Sequence, residues 1–169
     1  MTSISNLKLR PMSQDDFKTY YQLVSDPKIA QGARFQPAKD WSNAKELFKD
    51  DLNHAMSYAV ILNDEMIGMV SLYTTVGSHG EPNQSCLELA DMMLPKYQNH
   101  GYMGKTLGML INRLKAHSHV QRLVALVAEN NVPSRKVLLK NHFHNYRSVL
   151  NMAINQEDLV YQLDLRLNS

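Results

Sequence analysis

The stretch Pro95-Lys96-Tyr97-Gln98-Asn99-His100-Gly101-Tyr102-Met103-Gly104 constrains this chain more than any other. Before it, Cys86 to Leu94 reads as a strand that Pro95 breaks. After it, Met103, Leu107, Leu110, Ile111 and Leu114 mark one face of a helix. Between the two lies a tight polar turn with Gly101 near its centre. The first amides of a helix have no partner inside it, and the helix dipole adds partial positive charge there. That geometry suits an anion, above all a phosphate or pyrophosphate. A glycine lets the backbone come close to such a ligand.

The other elements follow from periodicity and punctuation. Leu7 and Leu9 alternate with Lys8 and Arg10 as a short first strand, which Pro11 ends. Ser13 with Asp16 resembles a capping box. The helix behind it runs to about Ser25, where Asp26-Pro27 stops it. A second helix spans Trp41 to His54, with Trp41, Ala44, Leu47, Phe48 and Leu52 near helical spacing. Ser57 to Thr75 reads as a hairpin turning at Asn63-Asp64. Gly77 to Gln84 is a polar loop. Beyond the central helix come a buried strand, Leu123 to Ala128, and a helix from Asn131 to Lys140 that tolerates Pro133 in its first turn. Two strands close the chain. The last alternates Leu159, Tyr161, Leu163, Leu165 and Leu167 with Gln162, Asp164 and Arg166. Early hairpins followed by strand–helix–strand units predict an α/β (α+β) fold with a mixed sheet, in one domain over residues 1–169 with its core at about 7–167.

Composition narrows the function classes. A net charge of +2 and the lack of any lysine or arginine run argue against nucleic acid or an anionic membrane as partner. The single cysteine, Cys86, has no partner for an internal disulfide, which favours a reducing compartment. The opening MTSISNLKLR lacks the apolar core of a signal peptide, so a cytoplasmic protein is expected. His117 and His119 fall at a helix end and fit no zinc spacing, so no metal is expected. Cys86 has no His–Asp partner pattern and is assigned to core packing.

The element order, with a polar turn between the fourth strand and a helix, resembles the GNAT acyltransferase superfamily over essentially the whole chain. That family's cofactor signature is Q/R-x-x-G-x-G/A, and here it reads Gln98, Asn99, His100, Gly101, Tyr102, Met103. The RimJ/RimL-like branch adds N-x-x-S, an apolar pair, a lysine and G-F. This chain has Asn131-Val132-Pro133-Ser134, Val137-Leu138, Lys140 and His142-Phe143. Leu9-Arg10-Pro11 and Asp26-Pro27 match the branch's habitual start. The chain departs from the pattern at Met103, where Gly or Ala is usual, at Asn99 and His100, which replace Gly and Lys/Arg, and at His142, which replaces Gly.

The resemblance implies the three-layer GNAT fold and an N-acetyltransferase that uses acetyl-CoA as co-substrate. Its pyrophosphate would lie on the amides of Asn99, His100, Gly101, Tyr102, Met103 and Gly104, next to Gln98. The pantetheine arm would pair with Met92, Met93 and Leu94 and meet Asn131, with Ser134 near the sulfur. An amine must lose its proton before it attacks, since an ammonium has no lone pair. Glu88 is the candidate base, on the strand face of Cys86, Ala90 and Met92. A backbone amide near Met93 would stabilise the oxyanion, with Met92 and Met93 lining an apolar part of the acceptor site. Tyr146 and Ser134 compete to serve the departing thiolate. The acceptor is a protein N-terminal amine or a small-molecule primary amine, and the resemblance leaves a homodimer open. Residues 29–54 and the 76–85 loop, with Glu81, are expected to shape the acceptor cleft. Each residue also has a plainer use: Asn131 as a helix cap, Glu88 as an ion-pair partner, Tyr146 as a half-buried strand tyrosine, Glu81 as a surface residue. A non-catalytic acetyl-CoA-binding sensor or accessory subunit is the alternative from a different class.

Overall fold

A computed structural model describes residues 6–152 and 155–166. The described strands are β1 (Leu7–Pro11), β2 (Met56–Leu62), β3 (Glu65–Val76), β4 (Pro82–Met93), β5 (Arg122–Ala128), β6 (His144–Asn151) and β7 (Gln156–Asp164). The helices are α1 (Phe17–Ser25), α2 (Pro27–Ala33), α3 (Trp41–His54), α4 (Tyr102–His117) and α5 (Val132–Lys140). The strands form one mixed sheet in the order β1-β2-β3-β4-β5-β7-β6, the mixed α/β architecture expected. The chain divides into two compact units. One holds residues up to Leu72 with Ala90–Thr106; the other holds Tyr73–Leu89 with the residues from Leu107 onward.

In the first unit, β1 pairs antiparallel with β2 from Leu7↔Leu62 to Pro11↔Tyr58. The hairpin β2–β3 turns as expected at Asn63 (φ 49°) and Asp64 (φ 66°), two positive-φ positions that match the twist of the strands. A Cβ at Gly68 would lie 2.5 Å from the Met92 carbonyl oxygen, so only glycine lets β3 approach β4 there. The capping box is present: the Ser13 amide donates to Asp16 Oδ2 at 2.8 Å. Arg10 adds a two-pronged contact to the same carboxylate, at 2.7 Å through each prong. Burial pushes Asp16 up, but the Arg10 fork and the Ser13 amide outweigh it and hold the carboxyl below the usual range.

Asp26-Pro27 does more than stop α1. Asp26 accepts from the amides of Lys28 (2.8 Å) and Ile29 (3.1 Å), and Pro27 takes the first turn of α2, a helix the sequence reading did not predict. The core of this unit gathers Tyr20, Leu23, Val24, Phe48, Ala59, Ile61 and Met69, all buried. Burial stabilises each large side chain by roughly 1.5–3 kcal/mol. Phe17 meets Trp41 edge-on at 4.8 Å, closing the aromatic cluster of α1 and α3.

In the second unit, β4 runs parallel to β5 from Cys86↔Arg122 to Glu88↔Val124. β5 pairs antiparallel with β7, and β7 with β6. The β6 register shifts between Asn145 and Arg147 and leaves Tyr146 as a bulge. β4 starts at Pro82 rather than Cys86, because the Gly77 amide closes the turn onto the Glu81 carbonyl at 2.7 Å. Glu81 serves this turn, its side chain accepting from the His79 amide at 2.9 Å.

Along β5, Leu123, Ala125 and Val127 are buried while Arg122 and Leu126 are exposed. One face of this part of the sheet is covered and the other is open. The buried stripes of α4 (Leu107, Leu110, Ile111, Leu114) and α5 (Leu138) are the apolar surface available for the cover. β7 is an interior strand buried on both faces from Asp158 to Leu163, so Gln162 is enclosed despite the alternating sequence. Leu167 and the first five residues lie outside the described residues. Arg166 caps α4: its guanidinium donates to the carbonyls of Lys115 (2.8 Å), Leu114 (3.3 Å), Val120 (3.1 Å) and Ser118.

Candidate active site

The end of β4 and the glycine turn belong to the first unit. The Leu94 amide donates to the Ile67 carbonyl at 2.9 Å, so Leu94 faces β3. Strand alternation turns the N–H and C=O of Met93 the other way. There the Met93 carbonyl accepts from Gln98 Nε2 at 2.9 Å, which ties the turn back to the strand it leaves. Pro95–Tyr97 form a single 3₁₀ turn, held by Tyr97 Oη to Glu65 at 2.9 Å. The chain then passes through Asn99 at φ 62° and Gly101 at φ 79° into α4.

A Cβ added at Gly101 or Gly104 would meet nothing within 4 Å. The helix start therefore has open space beside it, which an anion can occupy. His100 Nδ1 lies 2.7 Å from the Gln98 carbonyl, so that nitrogen carries the proton. Its ring stacks on Tyr102 at 5.6 Å and 13°. Met92 packs against the core of α1–α3 and Met93 is buried, so their side chains fill the interior rather than line an acceptor site. What β4 offers here is backbone.

Asp91 escaped the sequence reading. It shares the strand face of Leu87, Leu89 and Met93, two of whose neighbours along it are fully apolar and buried. Burial pushes its carboxyl up to about 6, with its own backbone amide pulling slightly the other way. The signal available was an aspartate in the middle of an apolar strand.

In the second unit, the register sets out two rows on the sheet face that carries Glu88, Arg122 and Asp164. Glu88, Val124, Gln162 and His144 form one row across β4, β5, β7 and β6; Cys86, Arg122 and Asp164 form the next. Glu88 is half-buried, and burial raises its carboxyl above the ordinary value. Arg122 Nε donates to Asp164 Oδ1 at 2.8 Å. Cys86 is only partly buried and lines a cleft of about 350 Å³ with Asn83, Ser85, Gln121, Arg122, Asp164 and Arg166, instead of packing in the core as expected.

Asn131 caps α5, its side chain accepting from the Ser134 amide at 3.3 Å. Ser134 is partly buried in that first turn. Asp158, also missed from the sequence, is buried on β7 opposite Ala128 of β5. Tyr146 is 60% exposed on β6 rather than half-buried. Two strands separate β6 from β4, which puts their backbones about 14 Å apart at the usual strand spacing. Tyr146 and Glu88 are thus not hydrogen-bond neighbours.

A family model described as an acetyltransferase (GNAT) domain matches residues 6–144. The chain belongs to the GNAT acetyltransferase family. Among solved structures, a spermidine N-acetyltransferase from Vibrio cholerae, in complex with CoA and spermine, superposes with a TM-score of 0.82 at 15% identity, covering 95% of this chain and 96% of that one. RimL, a ribosomal L7/L12 alpha-N-protein acetyltransferase in complex with coenzyme A, gives 0.83 at 16% identity with 97% of each chain covered. An aminoglycoside acetyltransferase in complex with coenzyme A gives 0.77 at 16%, with 94% of each covered. No curated protein matches the chain. These likenesses establish the GNAT fold. Membership agrees with the acyltransferase activity expected of the chain. Among the described residues no helix is long and apolar enough to cross a membrane.

Proposed function

We propose that this GNAT protein moves the acetyl group of acetyl-CoA to a primary amine by direct attack, with no covalent enzyme intermediate. The observation that carries the reading is the turn into α4, where Gly101 takes φ 79° and nothing lies within 4 Å of a Cβ built at Gly101 or Gly104. Gln98 to Gly104 hold the pyrophosphate on the helix start. Of Met92, Met93 and Leu94, the backbone of Met93 is turned away from β3 and offers the strand edge for the pantetheine arm. Asn131 and Ser134 serve the same arm and its sulfur from the first turn of α5.

Chemistry needs three things. Glu88 takes a proton from the acceptor ammonium, directly or through one water, so that a nitrogen lone pair is available. The nitrogen bonds to the thioester carbon, and the carbonyl electron pair moves onto oxygen. The Met93 amide, turned away from β3, donates to that oxyanion. Collapse re-forms the carbonyl and expels the thiolate; the second proton, shed by the now cationic nitrogen, passes through Ser134 to the sulfur and leaves a neutral amide and a free thiol. Tyr146 is the weaker candidate for that step, given the strands between it and Glu88.

The base acts in its ionised form. Activity therefore rises as pH climbs through the raised value of Glu88. Glu88→Gln should lower kcat/KM by about 10²–10⁴-fold and remove the acidic limb of the pH–rate profile. A variant with the same acidic limb as the parent protein would take Glu88 out of this role.

A further inference from the structure

The cleft of about 350 Å³ in the second unit is not used by the chemistry above. It lies at the beginnings of β4 and β5, where the Cys86↔Arg122↔Asp164 row crosses the sheet. Its charged lining consists of Arg122, Arg166 and Asp164, a net positive charge. Arg166 is held rigid by the four carbonyls it caps. Arg122 is bound to Asp164 through Nε, and that bond does not consume its two Nη groups. Asp164 in turn takes a weak second contact from Gln162 Nε2 at 3.4 Å. Asn83, Ser85 and Gln121 add neutral polar groups around the two guanidinium groups. A planar guanidinium fork beside a fixed positive charge is suited to a carboxylate.

Glu88 sits on the same strand face as Cys86, two residues further along β4. The cleft and the candidate base are therefore about 7 Å apart along one strand. We propose that the cleft binds a carboxylate of the acceptor while Glu88 receives its amine, so that the acceptor class is amines bearing a carboxylate several bonds from the reacting nitrogen, such as short peptides or ω-amino acids. The reading deepens the acetyltransferase assignment and rests on it. A polyamine is a poor match, because its second cation would lie against Arg122 and Arg166. A simple α-amino acid is too short to reach both groups.

The test compares matched acceptors on the full chain with acetyl-CoA: glycylglycine against glycylglycinamide, 6-aminohexanoate against hexylamine, and spermidine. Each acid should exceed its neutral partner in kcat/KM by about tenfold, mainly through KM, and spermidine should be the poorest. In Arg122→Met the acid-to-amide ratio should fall to near one, and Arg122→Lys should restore part of it. Equal use of acid and amide, a preference for spermidine, or a ratio that survives Arg122→Met would each overturn the cleft assignment while leaving the transferase reading intact. Calorimetric titration with N-acetylglycylglycine and its amide separates the two ideas where no acceptor turns over. Arg122-dependent binding of the acid alone would then support the cleft and count against catalysis, and equal or absent binding would sink the cleft as well.

Discussion

Two departures from the family pattern have a common cause at the level of single residues. Asn99 (φ 62°) and His142 (φ 67°) both stand where the backbone is left-handed, which is why glycine is usual there. Asparagine tolerates that region better than most residues, so the turn before α4 keeps its shape. Histidine tolerates it at a cost of roughly 1 kcal/mol. His142 is exposed, so its side chain offers little burial in return. His142→Gly should therefore raise stability by about 0.5–1 kcal/mol. A urea midpoint that is unchanged or lower would show that the imidazole makes a compensating contact. The signature residues were readable from their order alone, but the reason for each glycine was not, because φ is set by the chain on both sides of it. Glu81 shows the converse: its loop was expected to help shape the acceptor cleft, and its side chain is exposed and accepts from the His79 amide of its own turn.

At the level of elements, β4 carries the candidate residues Glu88, Met92 and Met93 and also a liability. Asp91 titrates near 6 in the folded protein and near the ordinary carboxylate value when unfolded. A raised value means that the folded state prefers the protonated acid. The cost of keeping it ionised grows as pH rises from about 4 to 6 and is complete above that, amounting to about 3 kcal/mol. Asp91→Asn should thus stabilise the protein at pH 8 by a margin that vanishes below pH 4, as read from denaturant midpoints across that range. A pH-independent difference would mean that burial is not what holds Asp91. The elements themselves were largely legible. α3 matches its expected limits, and the β2–β3 hairpin turns where Asn63-Asp64 predicted. α2 was missed because Asp26-Pro27 is both a stop and a start. Proline ends a helix and equally suits the first turn of the next, and only the Asp26 contacts decide between them.

For the molecule as a whole, the mixed sheet follows from the hairpins and the strand–helix–strand units, but the place of β7 between β5 and β6 does not. The open and covered faces of β5 did not follow, since β7 is buried on both sides in spite of its alternating sequence. The Cys86–Arg122–Asp164 row depends on pairing between strands far apart in the chain, which periodicity within one strand cannot reveal. The proposed activity is acetyl transfer from acetyl-CoA whose pyrophosphate the start of α4 would hold. Gly104 is the position from which to probe it: φ there is not left-handed and an added Cβ meets no atom within 4 Å, so Gly104→Phe is compatible with the helix and puts bulk at its start. The deciding measurement is the release of free CoA from acetyl-CoA by the full chain across a panel of amines and short peptides, with the acetylated product identified by mass. Stoichiometric CoA and N-acetylated amine, both lost in Gly104→Phe at unchanged thermal stability, are predicted. Acetyl-CoA binding with no turnover of any acceptor, or full turnover by Gly104→Phe, would contradict it.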